Sequence, residues 1–195
     1  SIDFRLSGSS GNTSEHKYGG ELNVRRETQD TIDNFLFTFD KESAKRNPGK
    51  NTTKDQKYGR YRHEWKIADS RWQPFAQVAT EMDKFKNWDY RVEAAAGSAY
   101  LFVNEDTERL KGRLGAGASQ KIGADDNDDI SYEVLLGLDY AIDFSSTNHF
   151  FVESTYFPSV NESGDYRTFT KGEWRLDLSE TSQWYFKVGA DHIYD

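Results

Sequence analysis

The sequence predicts an all-β protein, an antiparallel up-and-down transmembrane β-barrel of about twelve strands, eleven of them visible in the 195 residues. Three observations predict it. Apolar and charged residues alternate with period two over long stretches, and polar turn clusters separate these stretches at short, fairly even intervals. Most stretches also run to twelve residues or more. Strands of soluble proteins average about 5–6 residues, whereas a tilted bilayer-crossing strand needs about 9–11.

The candidate strands lie at 2–8, 15–27, 31–44, 56–67, 70–83, 86–103, 107–122, 129–143, 147–158, 164–179 and 181–194. In the second, Tyr18, Leu22 and Val24 oppose Lys17, Glu21, Asn23 and Arg25, and in the third Phe35, Phe37 and Phe39 align. The fourth sets Arg60, Arg62, Glu64 and Lys66 against Tyr61, His63, Trp65 and Ile67. The eighth puts Tyr132, Val134, Leu136, Leu138, Tyr140 and Ile142 on one face. The tenth opposes Glu173, Arg175 and Asp177 to Trp174, Leu176 and Leu178, and the last sets Trp184, Phe186 and Val188 against Tyr185 and Lys187. Long polar connections are expected at 45–55, 123–129 and 159–164, and tight ones after strands four, six, eight and ten. Helical periodicity is absent, and no boundary interrupts a single domain over 1–195.

Composition excludes several classes. Only 35% of residues are hydrophobic, yet 13 Phe, 11 Tyr and 5 Trp are far more rings than a disordered chain carries. No apolar run approaches the roughly 18 residues of a membrane helix. The net charge of −8 disfavours a nucleic-acid partner, which needs a basic face. With no cysteine there is no disulfide framework, thiolate zinc site or thiol catalysis. The chain opens at Ser1 without Met, as a mature form after signal-peptide removal or a partial sequence would.

Two architectures use such strands. In a soluble sandwich or barrel the apolar face points inward; in an outer-membrane barrel it meets lipid and the polar face fills the lumen. Strand length, aromatic residues near strand ends and the alternation of short and long connections favour the second. Tyr61, Trp65, Leu136, Tyr140, Trp174 and Trp184 then face lipid or its interfaces, with Trp72, Trp88, Tyr90 and Tyr156 among the girdle rings. Arg60, Arg62, Glu64, Lys66, Arg91, Glu93, Lys111, Arg113, Glu173, Arg175 and Asp177 line the lumen, with Glu21, Arg25, Glu153, Arg167 and Lys187 beside them. Their interleaved signs allow paired charges to cross-link a narrow interior.

Residues with catalytic or metal-binding potential are sparse. His16, His63, His149 and His192 show no metal-ligand spacing, and Asp191 and His192, adjacent on a strand, point to opposite faces. No Gly-x-Ser-x-Gly elbow occurs, which leaves only a dispersed barrel-hydrolase site as an enzymatic alternative. Asp125, Asp126, Asp128 and Asp129 form an acidic loop that offers oxygen ligands to a divalent cation but lacks the calcium-loop spacing. No metal or other cofactor is expected.

Ser10-Gly11-Asn12-Thr13, Trp88-Asp89-Tyr90-Arg91, the Gly112-Arg113-Leu114-Gly115-Ala116-Gly117 strand, and Tyr156-Phe157-Pro158-Ser159 followed by Gly164-Asp165-Tyr166-Arg167 occur in this order. In these motifs the chain resembles, over nearly its whole length, the salt-induced outer-membrane protein family, YdiY-like barrels grouped as a domain of unknown function. The resemblance implies an outer-membrane barrel without enzymatic chemistry and a link to salt or osmotic stress. Such barrels finish on an aromatic residue; here the chain stops at His192-Ile193-Tyr194-Asp195 after an odd number of strands, so a twelfth strand is expected beyond Asp195. The expected partner is the outer-membrane bilayer, and the expected role a structural barrel or a narrow charge-lined pore. A barrel that binds a partner or builds a surface assembly is the alternative to transport.

Overall fold

The computed structural model describes residues 2–9, 14–45, 50–123, 130–161, 164–179 and 185–194, with the backbone alone at 2–9, 14–16, 44–45, 50–53, 191 and 193–194. These residues form eleven strands and no helix. They are β1 (Ile2–Ser9), β2 (Ser14–Glu27), β3 (Thr31–Lys45), β4 (Lys50–Trp65), β5 (Trp72–Asp83), β6 (Tyr90–Asn104), β7 (Glu108–Ile122), β8 (Ile130–Ser145), β9 (Asn148–Pro158), β10 (Tyr166–Asp177) and β11 (Tyr185–Tyr194). All belong to one sheet in which sequence neighbours are spatial neighbours, β1 through β11 in order. The topology is therefore up-and-down, all-β and barrel-like. A meander is what short connections between long alternating strands produce, because each hairpin closes on the strand just made.

Registers follow the turns. β3 and β4 pair from Thr31↔Trp65 to Lys45↔Lys50 with one irregularity between Glu42 and Ser43. β9 and β10 pair from Tyr166↔Pro158 to Leu176↔Asn148. Thr28 closes the β2–β3 turn by accepting the Thr31 amide on Oγ1 at 3.0 Å while its own amide donates to Thr31 O at 2.9 Å.

Three expectations needed correction. β4 begins at Lys50, not at residue 56, because backbone pairing with β3 continues through polar residues that hydropathy reads as loop. The β4–β5 connection spans 66–71 and turns through Asp69 at φ 56°, so it is not tight. β6 begins at Tyr90, four residues late, because Trp88 folds inward from the β5–β6 turn and is buried rather than sitting in an interfacial girdle.

Two compact units divide the chain: Ser1–Trp65, Ala76–Ala94 and Ala118–Ile130 form one, and Lys66–Phe75, Ala95–Gly117 and Ser131–Asp195 the other. β5, β6 and β7 each contribute to both. In the first unit Ile32, Leu36, Ala79 and Trp88 are buried; in the second Phe75, Ala95, Leu135 and Phe157 form an apolar cluster. Gly115 lets β7 approach β6 within that second unit. A Cβ there would stand 2.6 Å from Ala96 O and 3.2 Å from Phe75 Cζ, and one on Gly97 would collide with Leu114 O.

Gly115→Val is expected to destabilise the protein by about 1–3 kcal/mol through overpacking. Gly172→Val, where nothing lies within 4 Å of the added Cβ, is expected to change little. Urea unfolding followed by tryptophan fluorescence in detergent micelles checks both, and equal midpoint shifts would remove the close-approach argument.

Candidate functional site

The alternation of the strands sorts side chains onto two faces, and the buried one is charged. On β4 Arg60, Arg62 and Glu64 are buried, and on β6 Arg91 and Glu93. Lys111 and Arg113 on β7 and Glu153 on β9 are buried too, as are Arg167 and Lys171 on β10. The opposite face exposes Val24, Phe35, Phe37, Val78, Phe102, Leu114, Leu136 and Leu138. A water-soluble domain buries its aliphatic residues and leaves unpaired charges outside; this polarity is reversed.

Charge inside a protein persists only where it is compensated, and compensation is nearly complete. Seven buried basic residues (Arg60, Arg62, Arg91, Lys111, Arg113, Arg167, Lys171) stand against seven buried acids (Glu21, Glu64, Glu81, Glu93, Glu133, Asp139, Glu153) among the described residues. In the first unit, Arg62 Nε lies 3.0 Å from Glu64 Oε1 and Arg91 pairs with Glu81. Glu81 also accepts from Gln56 Nε2 at 2.9 Å, and Gln77 Nε2 donates to Glu93 at 2.9 Å. Trp88 closes over this group with the Arg91 guanidinium 5.4 Å from its ring.

The second unit centres on Arg113. Its NH2 donates to Asp139 Oδ1 at 2.6 Å, Glu153 Oε1 at 3.1 Å and Thr155 Oγ1 at 3.2 Å, joining β7 to β8 and β9. Lys111 Nζ adds a contact to Asp139 at 3.5 Å. Gly137 makes the room: a Cβ there would lie 2.9 Å from Arg113 Cζ. Arg167 makes a two-point contact with Glu133, Nε at 2.9 Å and NH2 at 2.6 Å, and lies 4.4 Å over the Phe157 ring. His149 joins β8, β9 and β10, with Nδ1 2.6 Å from Asp143 Oδ1 and Nε2 3.1 Å from Asp177 Oδ2.

Not every residue expected in this lining belongs to it. Arg175 shares the β10 parity of Arg167 and Lys171, yet its side chain is 47% exposed. It pairs with Asp177 at 3.1 Å and stacks on Tyr185 at 5.6 Å, at a strand end where covering side chains are few. Lys66 lies past the end of β4 and is half-buried, as are Glu173 and Asp177. Gln73, Gln77 and Glu81 of β5, with Glu133, Asp139 and Lys171, belong to the buried polar set although the sequence reading did not single them out. The odd-numbered period through 73–81 was the signal that could have found the β5 residues.

Of the residues expected to face lipid, Tyr61, Trp65, Leu136 and Trp174 are exposed and Tyr140 is half-buried. Three of these rings anchor a polar tip on a neighbouring strand. Tyr61 donates to Asp33 at 2.7 Å, Trp174 to Asn148 at 2.6 Å and Tyr140 to Glu108 at 3.1 Å. His63, on the same face, contacts Asp33 at 2.7 Å and meets Trp65 edge-on at 4.6 Å. Trp184 and the acidic cluster Asp125, Asp126, Asp128 and Asp129 lie outside the described residues. Among those described, no three His, Cys, Asp or Glu gather as a metal site.

Removing one member of a buried ion pair strands the other without compensation. Arg113→Met is therefore expected to destabilise by about 3–5 kcal/mol. Arg175→Ala, which breaks an exposed pair, is expected to cost about 0–1 kcal/mol. Denaturant midpoints of the two variants in detergent check this, and similar shifts for both would refute the difference in burial.

No curated protein and no solved structure matches the sequence. A family model described as "Protein of unknown function, DUF481" matches residues 2–195. The chain, whose described residues form eleven up-and-down strands with an ion-paired charged face, belongs to the DUF481 family.

Proposed function

We propose that this chain is a β-barrel of the bacterial outer membrane with a closed, self-neutralised interior, and that its role is structural rather than enzymatic or conductive. Inverted polarity is the observation that carries the reading. Aliphatic and aromatic side chains cover much of the face that meets the surroundings, while Arg, Lys, Glu and Asp make up most of the buried polar residues. A hydrocarbon solvent favours that arrangement and water opposes it. The spacing of the rings agrees. On β8, Tyr132 and the anchored Tyr140 bracket Leu136 and Leu138, and on β10 Tyr166 and Trp174 lie equally far apart. Eight residues at about 3.3 Å rise and roughly 40° tilt give about 20 Å, close to the apolar band of roughly 25 Å on such barrels.

Low exposure of the charged face supports the closed interior. A water-filled passage leaves its wall accessible, but the seven basic and seven acidic residues of the buried face are each 9% exposed or less. Their signs also cancel, so neither cations nor anions find a continuous ring of one sign. Buried pairs are screened little by salt, which fits a protein that must hold together as external ionic strength changes. That property supports the association with salt or osmotic stress implied by the family resemblance.

Two measurements test the reading. The protein is expected to require detergent or lipid for solubility and to migrate faster in unheated than in heated detergent gels. A polypeptide that stays dissolved and monodisperse without amphiphiles refutes the membrane assignment. In planar bilayers the inserted protein is expected to be electrically silent, whereas steady single-channel steps would instead establish a pore.

A further inference from the structure

On β3, β4 and β5 the apolar exposed face ends in lysine at a common level. Along β3 the exposed side runs Phe35, Phe37, Phe39 and then Lys41. Along β4 it runs Tyr61, Gly59, Lys57 and Asp55, with Phe39 paired to Lys57 and Lys41 to Asp55. β5 brings the exposed Val78 and Met82, and Lys84 follows at its end. The ammonium groups of Lys41 and Lys84 converge on a single atom, Asp55 Oδ2, at 3.7 and 3.2 Å. The Asp55 side chain is 12% exposed, while that of Lys84 is 75% exposed.

One carboxylate thus holds two ammonium groups close together, and Lys57 adds a third two residues along the same strand face. The surplus of positive charge sits just beyond apolar residues, at the end of the strands reached by the 46–49 and 84–89 connections. Below it Gly59 leaves a shallow slot, where an added Cβ would touch Thr80 Cγ2 at 3.7 Å and Phe37 Cδ2 at 3.9 Å. We infer that Lys41, Lys57 and Lys84 bind the phosphate of an anionic lipid headgroup, with an acyl chain lying along the Phe37–Gly59–Thr80 surface. Clustered ammonium groups suit the multiple oxygens of a phosphate ester, and the adjoining apolar face selects a lipid over a soluble anion. This inference rests on the membrane reading above, and it assigns the binding face to the leaflet at the strand ends that carry the 84–89 connection.

The probe is diphosphoryl lipid A mixed into neutral maltoside micelles with the folded protein, and retained lipid is read by native mass spectrometry. Wild type is expected to retain it, and K41Q/K57Q/K84Q to retain about tenfold less while keeping its heat-modifiable migration. Wild type alone supplies a second reading that needs no variant: fully dephosphorylated lipid A should be retained about tenfold less than the diphosphoryl form. Equal retention in either comparison, by a protein that requires detergent and shows heat-modifiable migration, overturns the inference and leaves the membrane reading standing. Displacement of the lipid by an equal concentration of inorganic phosphate would make this a free-anion site and also overturn it. A chain that is soluble without detergent removes both readings together.

Discussion

A charge taken out of water must be met by another charge or by several hydrogen bonds, and this requirement organises the whole structure. Desolvating an ionised group costs several kcal/mol even after relaxation, so a face carrying Arg60, Arg62, Arg91, Lys111, Arg113, Arg167 and Lys171 can be buried only with its acids placed to match. Strand pairing supplies the placement. Period two puts every second residue on the same face, and the up-and-down order sets Arg113 of β7 beside Asp139 of β8 and within reach of Glu153 on β9. Arg167 of β10 reaches past β9 to Glu133 of β8. A one-residue slip of any strand would turn its charges onto the apolar face, so the ion pairs fix the register as firmly as a hydrophobic core does elsewhere.

The opposite face follows from the same alternation. Once the charges are withdrawn, Val24, Phe35, Val78, Leu114 and Leu138 have no interior left to enter. Three rings on that face are anchored at their polar tips. Tyr61, Trp174 and Tyr140 keep apolar bodies on the exposed face and give their O–H or N–H to an acceptor on the next strand, as amphipathic rings at a water–hydrocarbon boundary do. Polarity and anchoring thus have one cause, the two-residue repeat.

That repeat is why so much was legible in the sequence. Apart from the start of β4, eleven strands could be placed to within a few residues because hydropathy alternates wherever the two faces differ, and β8 reads correctly through Val134, Leu136 and Leu138 alone. What the pattern missed has physical reasons. The first residues of β4 are polar on both faces, so backbone pairing extends the strand without a hydropathic signal. Trp88 matches a boundary ring in composition, and only its contact with Arg91 shows that it turns inward. Arg175 has the correct parity and too little cover, because parity fixes the face and not the depth. On the charged face Phe75, Leu135, Phe157 and Phe169 are apolar exceptions, which alternation places there and hydropathy alone would have sent outward. They fill space between the charged groups, and Arg167 lies directly over one of them.

Whether such an interior conducts depends on the difference between a lined channel and a filled one. Lining requires charges that keep some water; filling requires each charge to spend its hydrogen-bonding capacity on a partner across the strands. Arg113 spends one amino group on three acceptors from two strands, and Gly137 is small so that the guanidinium can lie flat against the backbone. An ion entering there would have to break contacts made at low dielectric, where they are strongest, and would be left beside a charge it had just uncovered. In the proposed barrel, the groups that make the buried face polar would therefore be the ones that close it. The same pairing gives β7, β8 and β9 cross-links whose strength depends little on the salt outside.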